Sequence, residues 1–178
     1  MNVAEIKYCD IANGIGVRVS LFVSGCRHHC MGCFNEIAWD FDFGKPYDKA
    51  TEDSVIAALA PSYMDGLTLL GGEPFEPENQ EPLLALVKRV RRELPGKSIW
   101  AYSGFTFEEL SGKKPSRAES ETCTELLGML DVLVDGRFVF EKKDITLRFR
   151  GSSNQRIIDV PRTMAEDKIV LWDSAAHI

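Results

Sequence analysis

The chain has 178 residues, of which 44% are hydrophobic and 27% charged, enough apolar content for one packed domain and too much for wholesale disorder. Its net charge of -6, from 21 Lys and Arg against 27 Asp and Glu, argues against a general nucleic-acid binder, which presents a basic face. The longest unbroken apolar run, Val55 to Ala60, is far short of the ~18 residues of a membrane-spanning helix, and a complete eight-unit β/α barrel of about 250 residues does not fit.

The N-terminal MNVAEIKYCD carries Glu5 and Asp10 where a signal peptide has an apolar run, so a cytoplasmic location is expected. Residues 17–25 (VRVSLFVSG) are rich in β-branched types and end in glycine, which predicts a buried strand. Residues 51–60 (TEDSVIAALA) read as a helix with an acidic first turn, stopped by Pro61. A second strand is expected at 66–72 (GLTLLGG). A longer helix follows at 77–94, acidic at its start and basic at its end, with an apolar stripe through Leu83, Leu84, Leu86, Val87, Val90 and Leu94. A third strand is expected at 97–104, a short helix at 105–110, another at 120–130, and a fourth strand at 131–140 broken by Gly136. RIIDV and KIVLW read as two short late strands.

Strands that alternate with helices imply a parallel sheet with helices packed outside, curled by right-handed crossovers into an open, incomplete barrel. The expectation is therefore one α/β domain over residues 1–178. Reacting groups gather at the C-terminal strand ends of such folds. Here those ends read Ser24-Gly25-Cys26, Gly71-Gly72-Glu73, Tyr102-Ser103-Gly104 and Asp135-Gly136-Arg137.

Of five cysteines, Cys26, Cys30 and Cys33 fall in the string SGCRHHCMGCFN. The odd count and the expected compartment argue against a disulfide framework, and the clustering points to metal or catalysis. Cys123 shares a helical face with Leu126, Leu127 and Leu130 and reads as a core residue; Cys9 has no nearby partner. Structural zinc takes four ligands, commonly as two separated pairs, and no second pair exists, although His28 or His29 could add a nitrogen. The histidines otherwise read as solvated loop residues or as donors behind the thiolates. Three thiolates in C-x3-C-x2-C can instead hold three irons of a [4Fe–4S] cluster and leave the fourth open, the mark of a catalytic site. That reading is favoured. Gly14-Ile15-Gly16 lacks the third glycine of a dinucleotide fingerprint, and Gly96-Lys97-Ser98 lacks the first glycine of a phosphate loop.

The cysteine string, preceded by DIANGIGVRVSLFVSGC and followed by GGEP, LVDGRF and RGSSNQR in that order, resembles the radical S-adenosylmethionine enzymes. Within them it is similar to the activating proteins of anaerobic ribonucleoside-triphosphate reductases, over residues 5–160. The resemblance implies a partial β/α barrel in which Cys26, Cys30 and Cys33 hold the cluster and its open iron binds S-adenosylmethionine. It implies further that backbone of Gly32, Cys33 and Phe34 contacts the cofactor, and that Gly71, Gly72 and Glu73 meet its methionine end. Ser103 and Asp135 would contact the methionine end or the ribose, and Arg137 the carboxylate. Asp135 reads equally as a turn former, and the polar run Ser152 to Gln155 as a binding loop or a simple turn. Many members carry an aromatic residue before the third cysteine; Gly32 stands there in this chain. A side chain at Gly72 is expected to obstruct the cofactor while leaving the cysteine loop intact.

The implied reaction is reductive cleavage of S-adenosylmethionine, with an external one-electron donor such as flavodoxin. The 5′-deoxyadenosyl radical then makes a glycyl radical on the partner reductase. The rival readings are an activase of the pyruvate formate-lyase type, a radical small-molecule synthase, and a non-catalytic iron–sulfur electron-transfer module.

Overall fold

The computed structural model describes residues 1–173. Among the described residues the seven strands are β1 (Asn2–Asp10), β2 (Arg18–Val23), β3 (Lys45–Pro46), β4 (Gly66–Gly71), β5 (Ser98–Tyr102), β6 (Val132–Asp135) and β7 (Arg156–Asp159). The five α-helices are α1 (Lys49–Leu59), α2 (Pro77–Glu93), α3 (Phe107–Leu110), α4 (Glu121–Gly128) and α5 (Val160–Glu166). All strands form one sheet in the order β3-β1-β2-β4-β5-β6-β7. Its centre, β2-β4-β5-β6, is parallel, as the βα alternation requires, and both margins are antiparallel. Among the described residues no helix is long and apolar enough to cross a membrane.

The helices start where short polar side chains take up free backbone N–H groups. Asp48 accepts from Thr51 N at 2.8 Å ahead of α1, and Ser120 from Cys123 N at 2.8 Å ahead of α4. Thr106 and Glu109 form a reciprocal capping box on α3.

The sheet has two unlike faces because successive side chains point to opposite sides. Val19, Leu21, Leu67, Leu69, Ile99, Ala101 and Leu133 pack under the apolar stripe of α2 in the main core. The other face carries Arg18, Ser20, Thr68, Trp100, Tyr102, Val132 and Val134. The fully buried Arg18 is satisfied there. Its guanidinium donates to Thr68 Oγ1 (2.7 Å), Leu67 O (2.8 Å), Ser98 Oγ (2.8 Å), Ser98 O and Ile15 O, and lies over the Trp100 ring. Burial nevertheless pushes it down to about 10.

Several expectations differ from the fold. Residues 2–10, expected only to lack a leader, form β1; its outward face is exposed and charged, so the segment lacks a strand's apolar signature. The fourth strand stops at Asp135, and residues 140–142 form a 3-10 turn instead. KIVLW is not a strand; Leu171 makes a single bridge to Ile158, and the unanticipated α5 lies between. β7 runs antiparallel to β6, so the sheet is not wholly parallel.

Candidate active site

The four predicted strand ends meet at one cleft of about 530 Å³, whose wall includes Cys26, Cys30, Cys33, Gly72, Ser103 and Gly136. Its volume is that of a small-molecule site. The cysteine loop is tied to its neighbours by backbone. Gly25 N donates to Ala38 O (2.8 Å), Cys26 N to Trp39 O (3.1 Å), and Cys33 N to Cys30 O (3.1 Å). Arg27 adds charge-assisted anchors, its amide and guanidinium both reaching the fully buried Glu76 at 2.8 Å. Arg117 grips the same carboxylate from the far side at 2.7 Å. Although burial pushes Glu76 up, the hydrogen bonds from Arg117 and Arg27 hold it below the usual carboxylate range.

The thiols differ in environment. Cys26 is buried, and burial followed by the nearby Glu73 carboxylate pushes it up to about 12. Burial also raises Cys30, opposed by the Phe138 N–H and the Arg137 guanidinium. Cys33 Sγ accepts from Asn35 N at 3.4 Å. Metal uptake by such thiols releases protons.

Gly72 donates its N–H to Val23 O, and Glu73 N donates to Gly25 O, so the GGE turn is stitched directly onto the segment that carries Cys26. A Cβ on Gly72 would stand 2.6 Å from Gly25 O and 2.7 Å from Ala38 O, both backbone. This corrects the expectation that a side chain there leaves the cysteine loop intact, because the loop itself fills the space. The Glu73 carboxylate, 1% exposed, accepts from Ser103 Oγ (2.8 Å), Gly104 N (2.7 Å) and Phe75 N (3.0 Å). Glu73 therefore braces the β4 end against the β5 end.

The other predicted residues are distributed unevenly. Gly71, Gly32 and Phe34 are on the cleft wall, with Phe34 87% exposed and the Phe140 ring over Gly32. Asp135 and Arg137 are not on it. Asp135 follows Val134 in β6 and so faces the helices, where its carboxylate accepts from Phe107 N (2.7 Å) and pairs with Arg156. Arg137 is exposed, and its carbonyl accepts from Asn154 Nδ2. The run Ser152 to Gln155 clamps this turn: Gln155 Nε2 donates to Gly136 O (3.0 Å), and Ser152 Oγ accepts from Val139 N (3.2 Å).

Sequence reasoning missed three features. Residues 143–150 form one wall of the cleft, with Lys143, Ile145, Phe149 and Arg150 on it. The Tyr102 hydroxyl also faces the cleft, buried and without a hydrogen bond; the alternation of β5 places it there, two residues after Trp100. His29 is exposed and stacks on Trp39, whereas His28, expected to be a solvated loop residue or a donor behind the thiolates, has a side chain only 2% exposed.

Comparison with known proteins places this geometry. A family described as a 4Fe-4S single cluster domain matches residues 12–158. The anaerobic ribonucleoside-triphosphate reductase-activating protein of Escherichia coli (strain K12) is 41% identical over 157 residues, covering 87% of this chain and 96% of the relative. Its namesake from Haemophilus influenzae is 43% identical over 159 residues (88% and 97%), and that from Enterobacteria phage T4 is 39% identical over 158 (88% and 93%). The chain belongs to the anaerobic ribonucleoside-triphosphate reductase-activating protein family.

The residues present fit the four-iron cluster of this family. Three thiols open onto one cleft, free of disulfides. Beside them lie buried polar groups, His28 and the Tyr102 hydroxyl, that lack partners within the chain. Among the described residues no three His, Cys, Asp or Glu side chains are gathered as for a single ion.

Proposed function

We propose that the chain is a single α/β domain, an open partial barrel of the radical S-adenosylmethionine type, that activates an anaerobic ribonucleoside-triphosphate reductase by making a glycyl radical on it. The observation that carries the reading is the convergence of Cys26, Cys30 and Cys33 with the Gly71-Gly72-Glu73 turn on one cleft, in a chain of the activating-protein family. A [4Fe–4S] cluster held by the three thiolates supplies, when bound, the electron for reductive cleavage of S-adenosylmethionine, and hence a radical that abstracts hydrogen from glycine.

The chain's own residues bind, orient and shield. The Gly71-Gly72 backbone meets the methionine end, held in place because the space of its missing side chains is taken by the backbone of Val23, Gly25 and Ala38. Glu73 holds that turn in register with Ser103 and Gly104, so the two strand ends present fixed backbone groups. Backbone from Gly32 to Phe34 contacts the cofactor from the loop side. Asp135 acts through the turn it anchors, whose Gly136 is on the cleft wall, while Arg137 favours the thiolate at Cys30. Phe138 and Phe149 exclude water from the reacting atoms. The reductase supplies a glycine loop, and a one-electron donor of the flavodoxin kind reduces the cluster in the cytoplasm.

Family membership weighs against a pyruvate formate-lyase type activase and against a purely electron-carrying module. The deciding experiment is anaerobic reconstitution with iron and sulfide, then mixing with S-adenosylmethionine, a reductant and the reductase. A glycyl radical signal in electron paramagnetic resonance is expected; cluster assembly without cofactor cleavage would leave the electron-transfer module.

A further inference from the structure

His28 stands out among groups around the cleft that the proposed roles leave unused. It lies between Cys26 and Cys30, and its ring is wedged edge-on against Phe105, with centroids 4.5 Å apart. Gly104 makes room for it, since a Cβ there would come within 2.5 Å of the imidazole. Nε2 is 3.1 Å from Glu73 Oε2 but off the hydrogen-bonding line, and neither ring nitrogen has a hydrogen-bond partner in the chain. Glu73 is itself immobilised by Ser103, Gly104 and Phe75. A polar ring this deeply buried, without a hydrogen bond and on the wall of a cleft is left unsatisfied unless something bound there completes it.

We propose that His28 is a ligand-binding residue of the cleft: oriented by Glu73, it accepts a hydrogen bond at Nδ1 from an N–H or O–H group of the bound small molecule. Nε2 lies against the Glu73 carboxylate, which leaves Nδ1 as the ring nitrogen that can meet a donor of the ligand. The inference rests on the reading of the cleft as a site for S-adenosylmethionine, which offers three donors of this chemistry, its ammonium group, its ribose hydroxyls and its adenine amino group.

The test uses anaerobically reconstituted full-length protein, iron analysis, circular dichroism and calorimetric titration with S-adenosylmethionine and with 5′-methylthioadenosine, which keeps the adenine and ribose and lacks the ammonium group. His28→Phe retains a ring beside Phe105 but no acceptor. It is expected to fold, carry normal iron and bind S-adenosylmethionine about tenfold or more weakly, the equivalent of one hydrogen bond to a charged group. His28→Gln, which keeps an acceptor, should recover most of the loss. Weakening confined to S-adenosylmethionine assigns the ammonium; equal weakening of both ligands assigns the nucleoside end. Unchanged affinity in His28→Phe, or equal loss in the Phe and Gln variants, overturns the proposal. If His28→Phe fails to load iron, His28→Leu replaces it; failure of both while His28→Gln loads would make the polar group at position 28 a support of the loop and overturn the ligand role. A wild-type protein that takes up no four-iron cluster, or loads one and binds no S-adenosylmethionine, would instead overturn the underlying reading of the cleft.

Discussion

Asp135 and Arg156 lie directly opposite each other across the antiparallel β6–β7 pair and share two hydrogen bonds, Nε to Oδ1 at 2.9 Å and a terminal nitrogen to Oδ2 at 2.5 Å. Asp135 is 1% exposed, and the same guanidinium also grips Glu108 on α3. One arginine thus joins the last parallel strand, the antiparallel margin and the helix behind the Ser103-Gly104 turn. Asp135→Asn removes a charge-assisted pair while Arg156 keeps Glu108, and should lower stability by about 2 kcal/mol in urea unfolding. Any loss of cofactor affinity should be smaller than in a Gly72 variant; a stable Asp135→Asn protein with abolished cofactor binding would contradict the positioning role.

The same arginine makes stability depend on acid. Its hydrogen bonds hold Glu108 at about 2, below the ordinary 4.5. A carboxylate depressed on folding contributes its full stabilisation above the unfolded value and loses it as pH falls through the folded one. The Glu108 contribution should thus fade between pH 4.5 and about 2. Glu108→Gln should unfold at lower denaturant at neutral pH and show a shallower decline across that window. Parallel curves for the two proteins would refute the assignment.

Cysteine substitutions separate the loop from the isolated thiols. Cys26→Ala, Cys30→Ala and Cys33→Ala should each fail to hold a stable four-iron cluster, whereas Cys9→Ala should load iron normally. Cys123 is fully buried among Leu126, Leu127 and Leu110, with its thiol pushed up to about 12 by burial. Cys123→Ala should keep the cluster and lose about 1 kcal/mol to a small cavity. Iron and sulfide content with thermal melts of the five proteins decides.

Gly72 tests how tightly the GGE turn and the cysteine loop are joined. Its missing side chain is replaced by two backbone carbonyls, and neither can move without shifting residues 25 or 38. Even Gly72→Ala should cost about 2 kcal/mol through overpacking. It should also lower iron retention, because the displaced segment carries Cys26. Gly96, where an added Cβ would meet nothing within 4 Å, is the control, and Gly96→Ala should melt as the wild type does. Full iron retention in Gly72→Ala would show that the loop yields independently of the turn.

The parallel centre of the sheet, the helices over it and the meeting of four strand ends were legible in the amino-acid order, because each depends on local pattern. Buried strands flanked by helices read as apolar runs ending in glycine, and C-x3-C-x2-C concentrates its donors within one loop. Tertiary structure alone decided what depends on parity, register or distant neighbours. β1 is held in the sheet by pairing with β2 and β3, and its exposed face hides that from composition. Asp135 faces the helices because β6 alternates from Val134, and the β6–β7 register brings Arg156 opposite it. His28 is buried only because Glu73, Gly104 and Phe105, from two strand ends far along the chain, close around it. Local order named the cleft's cysteines and glycines, whereas long-range packing chose which polar side chains face it.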